Sequence, residues 1–281
     1  MTLALARTAI PFALAGLGLL AAKAGDEPPK STLARAMRAI AEGITMRTPD
    51  GRTTFECVGD PIYRFNDPAR KFSDGTVWAF GKIGRPAALV TLSLEKKSSG
   101  EVQWVHEFTS LASGPVGASN PDHLGAWRWE PSEPGLAMTP IPKAPPPDKD
   151  GGSRLRQLRE LARRFAAYEL WDPNLNARAQ RYELRLLPRP VHRYSEPAHG
   201  LIDGAIFLIA YGQDPEIALV IEARRVGDAA PAWSYGMGRI AVARLLVRLD
   251  GLEVADWPRP ASTGPESVYG AIARRARDLE D

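Results

Sequence analysis

Apolar positions along this chain repeat with two different periods. Leu33, Met37, Ile40 and Ile44 fall at helical spacing after the capping candidates Ser31 and Thr32, and predict a helix over about 33–43. Period-two alternation then takes over. Thr53–Val58, Thr76–Phe80, Ala87–Leu94 and Glu101–Phe108 read as strands, separated by the turn-formers Gly81-Lys82-Ile83-Gly84 and Lys97-Ser98-Ser99-Gly100. The order then repeats. Leu155, Leu158, Leu161, Ala162 and Phe165 predict a helix over about 154–170. Strand patterns follow at Tyr182–Leu187, Ala205–Ala210, Ile217–Ala223 and from Trp233 to Met237. Ile240–Leu249 fits either period poorly. Pro265 and Glu266 open a final predicted helix over about 265–278.

Between these blocks, Pro131, Pro134, Pro140, Pro142 and Pro145-Pro146-Pro147 preclude long regular elements, so 131–153 reads as a proline-rich linker, pinned by Trp127 and Trp129. The expected organisation is a leader over 1–24, a first unit over 25–130, the linker over 131–153, and a second unit with a C-terminal helix over 154–281. The fold class this predicts is α+β: two tandem helix-plus-antiparallel-sheet repeats forming a pseudo-dimer.

A shift of 129 residues supports the repetition. It lays Pro61-Ile62-Tyr63-Arg64-Phe65-Asn66-Asp67-Pro68-Ala69 over Pro190-Val191-His192-Arg193-Tyr194-Ser195-Glu196-Pro197-Ala198, and Asp74-Gly75 over Asp203-Gly204. The same shift puts Pro86 on Pro215 and Trp104 on Trp233, and sets Val77-Trp78 on Ile206-Phe207. Matching Glu95 to Glu222 would need a local two-residue gap. Pro68 and Pro197 are expected to fix turns, and each Asp-Gly to form a tight turn with positive φ. Arg64 and Arg193 would each tie a loop to a nearby carboxylate, such as the Asp before that glycine. Alternatively, the two arginines would grip an anionic ligand.

The amino terminus changes the setting. Arg7, the apolar stretch Ile10–Ala22 and the small-x-small sequence Ala22-Lys23-Ala24 form a secretory signal, with cleavage expected after Ala24. The stretch is too short to span about 30 Å of hydrocarbon as a helix. No second long apolar run follows, so the mature chain carries no predicted transmembrane segment and would be periplasmic or secreted. Cys57 is the single cysteine, which forbids an internal disulfide; it reads as a buried thiol. Net charge is only +3, and the arginine clusters at 154–164 and 274–277 read as solvated helix faces rather than a nucleic-acid surface.

Candidate chemistry is sparse. The four histidines, His106, His123, His192 and His199, do not recur between the repeats, so neither a metal site nor any cofactor is expected. No Gly-x-Ser-x-Gly elbow and no phosphate loop is present. His106-Glu107 is a weak acid/base candidate. Trp78, Trp104 and Trp233 are either core residues or a ligand platform.

Trp78-Ala79-Phe80, Gly84-Arg85-Pro86-Ala87-Ala88, His106-Glu107-Phe108-Thr109-Ser110-Leu111, Glu183-Leu184-Arg185-Leu186-Leu187-Pro188-Arg189-Pro190, Asp203-Gly204-Ala205-Ile206-Phe207, Asp214-Pro215-Glu216 and Ile221-Glu222-Ala223-Arg224 together resemble a set of uncharacterised exported proteins of planctomycete-type bacteria. The resemblance spans about 55–240 and implies export and a shared architecture, without an activity. The function expected from the residues is that of an exported binding or interaction protein for an envelope ligand or protein, with its site between the repeats. The alternative is an envelope hydrolase using carboxylates or His106 in the same groove.

Overall fold

The computed structural model describes residues 30–67, 72–97, 99–120, 127–171 and 180–275. The signal sequence, Pro68 and His123 lie outside the described residues. Among those described, no helix is long and apolar enough to cross a membrane.

The expected α+β class is overturned. The described chain is mostly β, with two α-helices and three sheets. The first helix, α1 (Lys30–Glu42), buries Met37, Ile40 and Ala41. It leads through β1 (Thr45–Arg47) to an antiparallel meander of β2 (Tyr63–Asp67), β3 (Phe72–Phe80), β4 (Ala88–Lys96) and β5 (Val102–Ser110). Two short strands, β6 (Gly117–Asn120) and β7 (Trp127–Trp129), join β1 in a three-stranded sheet. Within the proline-rich stretch, Thr139–Pro140 forms β8.

The helix read over 154–170 is shorter. Asp150 caps α2 (Gly151–Ala162), its carboxylate accepting from the Ser153 N–H at 2.7 Å. From Phe165 the burial alternates, and β9 (Phe165–Trp171) replaces the last predicted turns. After β9 come β10 (Gln180–Leu186), β11 (His192–Glu196), β12 (Leu201–Tyr211), β13 (Asp214–Arg224) and β14 (Ala232–Arg239). The ambiguous Ile240–Leu249 run resolves as a strand, β15 (Arg244–Leu249), followed by β16 (Leu252–Trp257). The predicted final helix is instead a strand, β17 (Tyr269–Arg275), whose partner is the open edge of β5.

The pairing also shows why two self-contained tandem repeats are not found. β17, at the end of the chain, completes the sheet β17-β5-β4-β3-β2, while β8, from the first half, pairs with β14 at the end of the large sheet β16-β15-β9-β10-β12-β13-β14-β8. Each half thus supplies an edge strand to the sheet of the other.

The 129-residue spacing recurs in the strand registers. Tyr63 faces Val77 as His192 faces Ile206, Trp78 faces Val90 as Phe207 faces Leu219, and Ala88 faces Ser110 as Ile217 faces Arg239. Even the register shifts at Phe65/Asp67 and Tyr194/Glu196 correspond. No gap intervenes, so Glu222 lies at the position of Ser93 and not of Glu95.

The Asp-Gly pairs are not turns. Gly75 and Gly204 lie inside β3 and β12, opposite Phe65 and Tyr194, and neither has positive φ. They are glycines because a Cβ at either position would overlap the facing aromatic ring. The rings of Phe65 and Tyr194 join Val77, Ala79, Leu89, Ile206, Leu208, Ala218 and Val220 in one core shared by the two meanders. A second core lies on the other face of the large sheet, where Phe207, Leu219, Trp233 and Tyr235 meet Leu158 and Leu161 of α2.

Candidate functional site

His106 and Glu107 are neighbours on β5, so their side chains leave opposite faces of the sheet and cannot act on one substrate atom. His106 is fully buried against Trp127, ring centroids 6.1 Å apart. Burial drops its pKa to about 4, against weak support from the Ile272 backbone, and the Arg274 charge pushes the same way. Glu107 faces the other way and shares a proton-bearing contact with the Tyr269 hydroxyl. Its pKa is pushed up to about 8, chiefly by burial; Asp214 and Glu95 add to the rise and the Tyr269 bond opposes it.

The buried histidine has a consequence for acid stability. Its folded pKa lies below the ordinary value of 6.5, so the unfolded chain takes up a proton that the folded chain refuses. The stability is present above about pH 6.5 and is lost as the pH falls towards 4, by up to roughly 3 kcal/mol. We expect His106→Gln to reduce the drop in urea midpoint between pH 7.5 and 4.5. An equal drop in both proteins would refute the assignment.

Arg64 is exposed and lies in the row Arg64–Thr76–Leu92–His106, three strand spacings or about 14 Å from His106, so the two do not converge. Arg193 behaves as a tie. Its Nε and a terminal nitrogen reach Asp203 at 2.8 and 2.5 Å, and Arg154 Nε reaches the same carboxylate at 2.8 Å. Arg193 also donates to the Gly151 carbonyl, so Asp203 anchors the start of α2 to β11 and β12. The two arginines outweigh the desolvation of Asp203 and hold its carboxyl below the usual range. Trp78, Trp104 and Trp233 are all buried; Trp78 Nε1 donates to Thr76 at 2.9 Å. They are core, and no platform is formed. Pro61 and Pro190 precede β2 and β11, and Pro197 opens a short 3-10 turn before Gly200 at φ 74°. Cys57 is half-buried, and desolvation raises its thiol to about 11, so it carries little thiolate at neutral pH. Among the described residues no group of three or more His, Cys, Asp or Glu could hold a metal ion.

Sequence reading missed two features. The first is a buried charge cluster between the meanders. Glu222, 1% exposed, accepts from the Tyr194 hydroxyl at 3.1 Å and lies 3.7 Å from Arg85 and 3.4 Å from Arg224. Arg85 also reaches Ser113 at 2.5 Å. Glu222 and Arg85 are its buried members, and Arg224 reaches it from the surface.

The second is a groove of about 240 Å³ where the two halves of the chain meet. One wall is β7, with Trp127 and Trp129 turned inward and Arg128 outward; the other is the 263–265 loop and β17 from Gly270 to Ile272, with Arg274 at its end. Backbone bonds seam the walls, from Glu130 N–H to Pro265 at 2.7 Å and from Ser132 N–H to Glu266 at 3.1 Å. Trp129 Nε1 donates to the Ser267 carbonyl at 2.8 Å. A Cβ on residue 270 would sit 2.6 Å from that indole, so only glycine lets Trp129 lie against β17. Phe108 backs the floor, its ring 5.0 Å from Trp127 and 5.2 Å from Trp129. The two tryptophans are themselves buried and back the groove from within, and cationic side chains stand at its rim. The Trp127-x-Trp129 alternation was the one sequence signal that pointed here.

Comparison with family models, with characterised proteins and with solved structures finds no match to this chain.

Proposed function

We propose that this chain is an exported binding protein and that its ligand sits in the groove between β7 and β17. The observation that carries the reading is the construction of that groove. Segments more than 130 residues apart in sequence are seamed together by backbone bonds around two tryptophans held rigid by Phe108, Ser267 and Gly270. Concave, largely apolar sites with a few fixed polar groups are the usual form of ligand pockets. The rim arginines favour a ligand with an anionic group beside an apolar body; Glu130, 3.4 Å from Arg128, partly offsets them. The hydrolase alternative loses support from the strand geometry, which sends His106 and Glu107 to opposite faces. The leader over 1–24 and the resemblance to exported proteins support the address.

Native mass spectrometry of the exported protein tests both parts. We expect a mature chain starting at Gly25 that carries a small-molecule adduct, and loss of that adduct in Ile272→Trp, whose indole would leave the same face of β17 as Gly270 and fill the groove. An adduct retained in full by a folded Ile272→Trp would sink the groove as the site. A chain still starting at Met1 would sink export.

A further inference from the structure

We propose that the contact between Glu107 and Tyr269 is a proton-controlled latch on β17: the strand is held while Glu107 keeps its proton and loosens when alkali removes it. The latch lies on one face of β17 and the groove on the other. Tyr269 shares the face of Glu107 and Thr109, which meets the large sheet, whereas Gly270 and Ile272 line the groove from the opposite face. As a means of regulating the groove, the latch rests on the binding reading; as a property of β17, it does not.

Glu107 pairs with Ala271 and Thr109 with Tyr269, so the two latch residues sit diagonally on neighbouring strands. The Tyr269 hydroxyl donates to the Glu107 carboxyl, and Tyr269 itself is buried. The seam around them is rich in acids. Glu95 of β4 and Asp214 of β13 act on Glu107, and the fully buried Glu216 of β13 acts on Tyr269. Among the described residues, the charges that act on Glu107 are thus all negative. Arg239 of β14 is the cation near Tyr269, and its terminal nitrogens are bonded to the carbonyls of Pro258 at 2.9 Å and Ala243 at 2.8 Å.

An ionised Glu107 in this seam is a buried charge without a cation to offset it. Burial and the neighbouring acids therefore push its pKa up to about 8, against the Tyr269 bond. Burial, and then Glu107 beside it, hold the Tyr269 phenol well above its ordinary value, so it stays protonated. Below about pH 4.5 a hydrated and a buried Glu107 both carry the proton, and the closed strand has its full stability. As the pH rises towards 8 only the closed state keeps the proton, so opening becomes steadily easier; above 8 nothing further is lost. Between pH 6 and 9 this favours opening by roughly 100-fold. β17 is the part that yields, because it is an edge strand with β5 as its one sheet partner, while β5 is tied to the large sheet by the Thr109 hydroxyl, 2.8 Å from the Arg239 carbonyl.

Amide hydrogen exchange of the exported protein without its leader, with no ligand added, tests the latch. We expect the β17 amides that bond to β5 to lose at least about 10-fold in protection between pH 6 and 9, once the ordinary pH dependence of exchange is divided out. At pH 9 they should be less protected than the amides of β12. Glu107→Gln, which copies the protonated acid, should show no such fall. Tyr269→Phe should move the fall to higher pH, because the hydroxyl bond favours the ionised carboxylate. Any of three results would overturn the proposal: the same fall in Glu107→Gln, equal protection of β17 and β12 in wild type at pH 9, or a fall at unchanged or lower pH in Tyr269→Phe. Native mass spectrometry reads a ligand and exchange reads a strand, so a failure here and a failure of the groove are told apart.

Discussion

Replacing Glu222 with Ala should lower the thermal midpoint by roughly 10 °C. The carboxylate is 1% exposed, and Arg85, Arg224 and Tyr194 converge on it from three segments. Arg85 is itself only 12% exposed, so removing Glu222 leaves its charge buried with only the Ser113 hydroxyl as an alternative partner. Breaking one side of a buried ion pair costs about 3–5 kcal/mol, and a domain of this size loses about 2–4 °C per kcal/mol. Removing both sides is milder, because no charge is then stranded. Arg85→Met/Glu222→Leu should therefore recover much of the loss, although Arg224 and Tyr194 keep the recovery incomplete. Scanning calorimetry of the three variants decides the point. A single Glu222→Ala within 2 °C of wild type would show that the cluster is hydrated and contributes little.

A chain stopped at Pro260 should fail to fold to a soluble monomer. It lacks β17. It loses seven cross-strand partners of β5, the buried ring of Tyr269 and the Ser267 carbonyl that fixes Trp129. An uncapped β5 presents a long edge bearing Trp104 and Phe108, the kind of strand that pairs with other chains. Gel filtration and dye binding would report aggregation. A monomeric, cooperatively melting protein ending at Pro260 would show that β17 is ornamental.

Much of the strand layout was legible because alternation in half-buried strands is a strong local signal. Val77 to Leu94 is an example, and the 129-residue echo of Pro61–Ala69 at Pro190–Ala198 correctly aligned registers that the strands adopt. The fold class was not legible. Phe165-Ala166-Ala167 continues a helical stripe from Leu158 and Leu161, and only the strands waiting on either side, β10 and β15, draw it into a sheet. The 265–278 segment carries a helix-start signal at Pro265-Glu266, yet Tyr269-Gly270-Ala271-Ile272 also alternates, and the open edge of β5 decides between them. Asp74-Gly75 and Asp203-Gly204 look like turns because a glycine's need for space beneath an aromatic ring leaves the same letter as a need for positive φ. The groove was hidden for a related reason: its walls come from segments whose adjacency is created by the exchange of edge strands. The Glu222 cluster was hidden because Arg85 and Glu222 occupy positions whose counterparts, Asp214 and Ser93, carry no such pair.

The pairing of β5 with β17 also dictates an order of events. Thr109 must wait for Tyr269, so the first meander, although synthesised early, keeps an unsatisfied edge until nearly the whole chain is available. Contacts of such sequence separation are slow to close. Until residues 269–275 arrive, the edge of β5 that they cover stays open to pairing with other chains.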